Sequence, residues 1–190
     1  MMVSFQTVVV CFSYLILSSA VVWSHPLVKC GTTKGDIIIE VRSSLAPIGA
    51  SHFLDLIRVG FYENIAFYRC VKGFLTQFGI SENPDMDHFH YEQIKDDTNL
   101  YNGISKYDIS YAGGGANTRS TQLFIALGND LDFLGKEPWE TPFGSVIEGH
   151  EVMDKLYKGY GEIVPFNDNG PDQQQIFRQG NSYLNEHFPR

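Results

Sequence analysis

The sequence predicts a β-rich α+β domain built on one core, and three observations carry that expectation. Short apolar runs of strand length are separated by Gly, Pro, Asn and Asp turns. Two segments place apolar residues at helical spacing. Setting aside an apolar leader leaves roughly 165 residues, which suits a single domain that buries most of its chain. No internal repeat is present, and the one biased run is the three glutamines at 173–175.

The chain opens with MMVSFQT and continues through residues 8–23 without a charge. That apolar run is short for a spanning helix, and Ser18, Ala20 and Ser24 offer small residues for a peptidase. Residues 1–24 are therefore expected to be a secretory signal peptide, cut after Ala20 or Ser24, which places the protein in the endoplasmic reticulum lumen or outside the cell. Because no Lys or Arg precedes the run, an uncleaved membrane anchor through 8–23 is the alternative. No KDEL-like ending signals retention.

From Cys30 the run GTTKGDIIIEV reads as a first strand, with a turn at Gly35-Asp36 and an inward face of Ile37, Ile39 and Val41. A helix follows: Pro47 suits its first position, Ala50, Phe53, Leu54 and Ile57 form one stripe, and Gly60 stops it. Residues 67–79, FYRCVKGFLTQFG, read as an extended segment in which Phe67, Arg69 and Val71 share a face. Arg69 is the unusual member. A guanidinium cannot shed its proton, so its presence in an apolar strand implies an ion pair at a sheet edge or a site that uses it.

Residues 81–108 are polar and acidic and read as a loop excursion. Gln122 to Leu127 form another strand, 128–144 a long turn, and PFGSVIEG a returning strand. A second helix carries Val152, Met153 and Leu156 and ends at Gly159 and Gly161. From 161 to 190 the chain is polar, with Ile176, Tyr183, Leu184 and Phe188 spaced for a tail docked on the surface of the 28–160 domain.

Composition removes several functions. The net charge is −8, with the acidic excess gathered between residues 82 and 97, and no basic stripe with interleaved aromatics offers nucleic acid a surface. Asp85, Asp87, His88 and His90 are close in sequence, but no second group at finger or helical spacing accompanies them, so they read as loop residues and no metal or other cofactor is expected. The glycines at 113–115 lack the GK[ST] ending of a phosphate loop, and no GxSxG elbow or motif-linked Cys–His pair suggests a hydrolase. Cys11 would leave with the leader; Cys30 and Cys70 are read as buried free thiols, with a bridge left open.

The motifs FYR, GFLTQFG, AGGGANT with STQLFI, and PFGSVIEG occur in an order that resembles the cyclophilin-type peptidyl-prolyl isomerases, over residues 33–157. The sub-patterns QFGI, IKDD, NTRSTQLFIALG, KLYKGYGE and GPDQ are similar to the divergent, bacterial-like branch. The resemblance implies a mainly β fold: a closed eight-stranded antiparallel barrel capped by two α-helices. It also implies an enzyme that rotates Xaa-Pro bonds in client proteins; a monomer is expected, with no nucleic acid partner on the charge argument above and no membrane attachment once the signal is removed.

By the same resemblance Arg69, Gln77 and Gln122 are the catalytic set. Phe74, Leu75, Leu123, Phe124, Phe133, Leu134 and Trp139 surround the proline, and the backbone at Ala112 and Gly113 pairs with the substrate chain. Strand parity gives Leu75 and Gln77 the face of Arg69, whereas Phe74 needs a bend near Gly73 to join them. The sequence departs from the family at Tyr68 for histidine, Gly113 for asparagine and Ala116 for proline. Phe133 falls near the tryptophan that helps to bind cyclosporin, so weak binding of that drug is expected. In the longer loop GKEPWETPFG, Trp139 or Glu140 stands for the pocket histidine. Two other readings use the same chain: a catalytically weak module that binds proline peptides in this cleft, and a small barrel that carries an apolar ligand.

Overall fold

Leu27–Thr32 (β2) and Gly35–Val41 (β3) pair as a hairpin whose turn needs the positive φ of Gly35. In this computed structural model, which describes the backbone of residues 2–7 and residues 25–98 and 103–189, alternation along the hairpin turns Val28, Cys30, Ile37, Ile39 and Val41 fully inward. The remaining strands are Met2–Thr7 (β1), Ile65–Ala66 (β4), Arg69–Cys70 (β5), Leu75–Phe78 (β6), Asp108–Tyr111 (β7), Leu123–Ala126 (β8) and Gly144–Glu148 (β9). They form one antiparallel sheet in the order β4-β1-β2-β3-β9-β7-β8-β6-β5.

Among the described residues this is a curled nine-stranded sheet, with no pairing between its end strands β4 and β5, where the motifs led us to expect a closed eight-stranded barrel. Its two ends, β4 and β5, are neighbours in sequence but are separated by Phe67 and Tyr68, which belong to no strand. The Phe67 ring packs 4.9 Å from that of Phe78 in the main core, whereas Tyr68 joins a second cluster. Phe67 therefore does not share the face of Arg69, and the run expected as one extended segment is broken there. β1, which lies in the expected leader, pairs with β2 from Val3↔Thr32 to Thr7↔Val28 and with β4. The apolar run 8–23 and both expected cleavage positions fall outside the described residues. Among the described residues no helix is long and apolar enough to cross a membrane.

Pro47–Arg58 (α1) buries Ala50, Phe53, Leu56 and Ile57 against the inner face of the sheet. Its N-cap, Ala46, has no capping side chain; the Asp97 carboxylate supplies the function from a distance, accepting from Ile48 N at 2.8 Å and Gly49 N at 2.9 Å. The same carboxylate accepts from Arg119 Nη1 at 3.0 Å, and both side chains are essentially buried. One ion pair thus ties the 81–108 excursion, the α1 N-terminus and the segment before β8 together. Within that excursion Pro84–Tyr91 is a 3₁₀ helix where the sequence suggested loop. His90 is buried, with Nδ1 3.0 Å from Thr121 Oγ1, and His88 is exposed.

His150–Asp154 (α2) places Val152 and Met153 in the core. The chain beyond it folds back as Gln173–Gln179 (α3) and Asn181–His187 (α4), started by the Asp172 side chain accepting from Gln174 N at 2.8 Å. Ile163, Ile176 and Leu184 pack with Ala66, Tyr68 and Ile80, so the tail lies on the β4–β5 corner of the sheet. Cys30 and Cys70 are free and buried.

Candidate active site

Pairing across three strands aligns one row of side chains. Arg69 lies opposite Gln77, Gln77 opposite Phe124, and Phe124 opposite Ser110. The next row on the same face pairs Leu75 with Ala126, and Gln122 shares the parity of Phe124. The alternate row, Cys70, Thr76, Ile125 and Ile109, faces the main core. Sheet register alone therefore gathers Arg69, Gln77, Gln122, Leu75 and Phe124 on one surface.

The polar members form a connected network. Arg69 Nη1 donates to Gln77 Oε1 at 3.0 Å, and Gln77 Nε2 donates to Gln122 Oε1 at 3.1 Å. The Tyr68 hydroxyl donates to the same Gln122 oxygen at 2.5 Å. Burial pushes the Tyr68 phenol far up, so it remains a neutral donor. Gln122 thus has its carbonyl engaged from within, and its amide N–H₂ is the end available to a ligand.

The apolar members form a cluster separate from the main core. Leu75, Ile104, Phe124, Ala126 and Leu131 are buried in it, with Phe74, Ala112 and Leu134 half-buried against them. Phe74 reaches it through the expected bend: Gly73 has φ +70°, and Val71 N bonds Leu75 O at 2.8 Å, which takes Phe74 off the ladder. The Phe74 ring then lies 5.4 Å from the Arg69 guanidinium carbon and 5.7 Å from the ring of Phe133, which is largely exposed. Trp139 belongs to the Pro138–Glu140 turn and lies over Gly113, where an added Cβ would come within 3.2 Å of Trp139 Cβ. Glu140 accepts from Gly135 N at 2.9 Å.

One expectation needs correction. Leu123 is on the opposite face of β8, fully buried in the main core between its strand partners Phe78 and Tyr111, because strand alternation gives the cleft to Phe124. The Ala112 N–H donates to Gln122 O at 2.9 Å, which leaves its carbonyl, beside Gly113, as the backbone group open to a partner.

The family model described as cyclophilin type peptidyl-prolyl cis-trans isomerase/CLD matches residues 27–177. The chain belongs to this family. It is 33% identical over 138 residues to peptidyl-prolyl cis-trans isomerase B of Escherichia coli, covering 68% of this chain and 83% of that protein. To peptidyl-prolyl cis-trans isomerase CYP18-2 of Arabidopsis thaliana it is 31% identical over 138 residues, covering 70% and 81%. A solved cyclophilin type isomerase of Cryptosporidium parvum, determined in the presence of the dipeptide Ala-Pro, superposes with a TM-score of 0.57 at 25% identity, covering 68% of this chain and 84% of that one. The protein is thus a cyclophilin-type peptidyl-prolyl cis-trans isomerase.

Sequence reasoning missed two residues of this cyclophilin's site, both from the tail. Glu162 accepts from Arg69 Nε at 2.8 Å and from Nη2 at 2.9 Å. Gln173 Nε2 donates to Gln122 Oε1 at 3.0 Å and to the Tyr68 hydroxyl at 3.2 Å. They stand in GYGE and GPDQ, the very motifs that marked the bacterial-like branch, and their placement on the strand-poor side of the chain hid them from any parity argument. Elsewhere on the surface, a cavity between Tyr68, Tyr160 and Phe188 lies beside the tail rather than over Arg69.

Proposed function

We propose that this cyclophilin turns Xaa-Pro bonds in chains folding within the secretory pathway, with Arg69 as the group that stabilises the twisted amide. An Xaa-Pro bond crosses a barrier of about 18–20 kcal/mol because rotation costs the amide its resonance. No bond need break. The catalyst must favour a prolyl nitrogen that has regained its lone pair, and a fixed N–H donor does so mainly in the twisted state. A 10⁴-fold acceleration needs about 5.4 kcal/mol from such contacts.

The observation that carries this reading is the Arg69–Gln77–Phe124 row, which sets a braced guanidinium beside an apolar patch able to receive a proline ring. Gln122 would orient the peptide through its amide, and Ala112 with Gly113 would meet the backbone of an extended substrate. Phe133 and Trp139 would flank the ring. The Ala-Pro dipeptide of the Cryptosporidium relative supports a proline-containing ligand here. The apolar run 8–23, with small residues at Ser18, Ala20 and Ser24, supports export; the proposed mature form acts as a monomer.

NMR exchange of a short Ala-Xaa-Pro peptide, with the wild type beside Arg69→Ala, tests the proposal. Accelerated exchange lost in the variant is expected. Line broadening by the wild type without acceleration would make the cleft a recognition module. N-terminal sequencing of the chain recovered from the medium of secreting cells tests export; recovery only in the membrane fraction, with residue 1 intact, would refute it.

A further inference from the structure

We propose that Glu162, in the tail, is a positioning residue for Arg69; the inference rests on the isomerase reading above. Its placement begins in the backbone. Cys70 and Gly161 form an isolated antiparallel bridge, so the segment after α2 runs along the free side of β5 and residue 162 falls beside residue 69. Gly161 adopts φ +63° at this bridge, a conformation that glycine takes without strain. The tail is thereby fixed to the edge of the strand that carries the catalytic arginine.

The side chains then dock in a fork. Glu162 Oε2 takes Nε–H at 2.8 Å and Oε1 takes an Nη2–H at 2.9 Å, while Gln77 takes an Nη1–H at 3.0 Å. A guanidinium has five N–H groups. Three are engaged, which leaves one on each of Nη1 and Nη2 for a ligand.

The side chains of Arg69 and Glu162 are only 15% and 27% exposed, so the carboxylate also offsets the cost of holding the guanidinium charge out of water. Without Glu162 the guanidinium is held by one bond to Gln77 and its contact with Phe74, and it can turn about its terminal torsions. A donor that must meet a transient lone pair loses its effect when it is free to turn, because alignment is part of the barrier. Glu162 does not touch the peptide; it aims the residue that does.

The test is steady-state isomerisation of an Ala-Xaa-Pro peptide by the wild type, Glu162→Ala, Glu162→Gln and Glu162→Asp, with kcat and KM separated. The Nε–H resonance of Arg69 is followed in each protein. A contact used only in the transition state lowers kcat and kcat/KM together. Glu162→Ala should lower kcat by roughly tenfold or more with KM within about twofold, as expected for a lost charge-assisted pair, and should broaden or shift the Arg69 Nε–H signal. Glu162→Gln, which matches the carboxylate in size and keeps one acceptor oxygen, should fall between, so the argument survives even if the alanine variant fails to fold. Glu162→Asp should recover part of the rate.

Unchanged or faster turnover in folded Glu162→Ala or Glu162→Gln would overturn the proposal, the faster case making the carboxylate a brake. A rise in KM alone would overturn it as well. A wild type that accelerates nothing would remove the isomerase reading and this inference with it, whereas an active wild type silenced by Arg69→Ala but indifferent to residue 162 would remove only the inference.

Discussion

Gln173 Nε2 lies 3.0 Å from Gln122 Oε1 and 3.2 Å from the Tyr68 hydroxyl, so α3 is hydrogen-bonded to the residue that leads into β8 and to the break between β4 and β5. The Tyr68 hydroxyl thus has two polar neighbours in this corner, Gln122 as its acceptor and Gln173 as a donor to it. Gln173→Ala should cost about 0.5–1.5 kcal/mol in stability and, because Gln122 then keeps only its bonds from Gln77 and Tyr68, roughly 2- to 12-fold in kcat/KM. Urea melts and peptide turnover of the variant check both.

Asp97 caps α1 and pairs with Arg119 at the same time. Removing the carboxylate leaves a fully buried guanidinium with its main countercharge gone and the helix start unsatisfied. Asp97→Ala should therefore lose about 3–5 kcal/mol, well beyond a surface ion pair. Thermal unfolding measures it; a loss under about 1 kcal/mol would mean that Asp96, 3.3 Å from Arg119 Nε, suffices alone.

Gly79 is held at φ +111°, and a Cβ there would stand 2.3 Å from Thr121 O and 2.7 Å from Gln122 Cα. Both contacts are with backbone, which cannot swing aside. Gly79→Ala should push β8 away from β6, displace Gln122 and destabilise the fold by more than about 2 kcal/mol. The urea midpoint should drop, and activity should fall even where the chain remains folded.

Burial depresses the His90 pKa below its ordinary value, with the Ser81 backbone opposing. The groups facing the ring are Thr121 and the rings of Phe61 and Phe177, with Asp87 the nearby carboxylate, and none outweighs the burial. A histidine whose folded value is lowered binds fewer protons in the native state, so its contribution is present above about 6.5 and is lost as pH falls from there through the folded value. Wild-type stability should decline on acidification in that window, and His90→Gln should flatten the decline. Urea unfolding at a series of pH values checks the sign; an unaltered slope in the variant would refute it.

What could be read in advance followed local periodicity. The inward face of β3, the stripe of α1 and the shared parity of Arg69, Leu75 and Gln77 all depend on residues a few positions apart, and the structure has them in place except that α1 buries Leu56 fully and leaves Leu54 half-buried. Leu123 was misassigned because a motif names neighbours without saying which face each takes. Phe67 was misassigned because residues 67 and 68 belong to no strand, so side-chain alternation does not carry across them to Arg69. Glu162 and Gln173 lie 93 and 51 residues from the partners they serve, Arg69 and Gln122. No spacing rule reaches that far, and only the tail's return to the β4–β5 corner brings them in.

The strand Met2–Thr7 sits between β2 and β4, upstream of residues 8–23, and among the described residues it is the sole ladder partner of β4. A peptidase cut after Ala20 or Ser24 would therefore take away a stave of the wall along with the leader. The facing sides of Leu27–Thr32 and Ile65–Ala66 would be left as two open edges one strand apart, each with unpaired N–H and C=O groups. Maturation of this chain would be a change of sheet topology rather than a trimming, and the processed protein would carry a vacancy shaped for an extended segment.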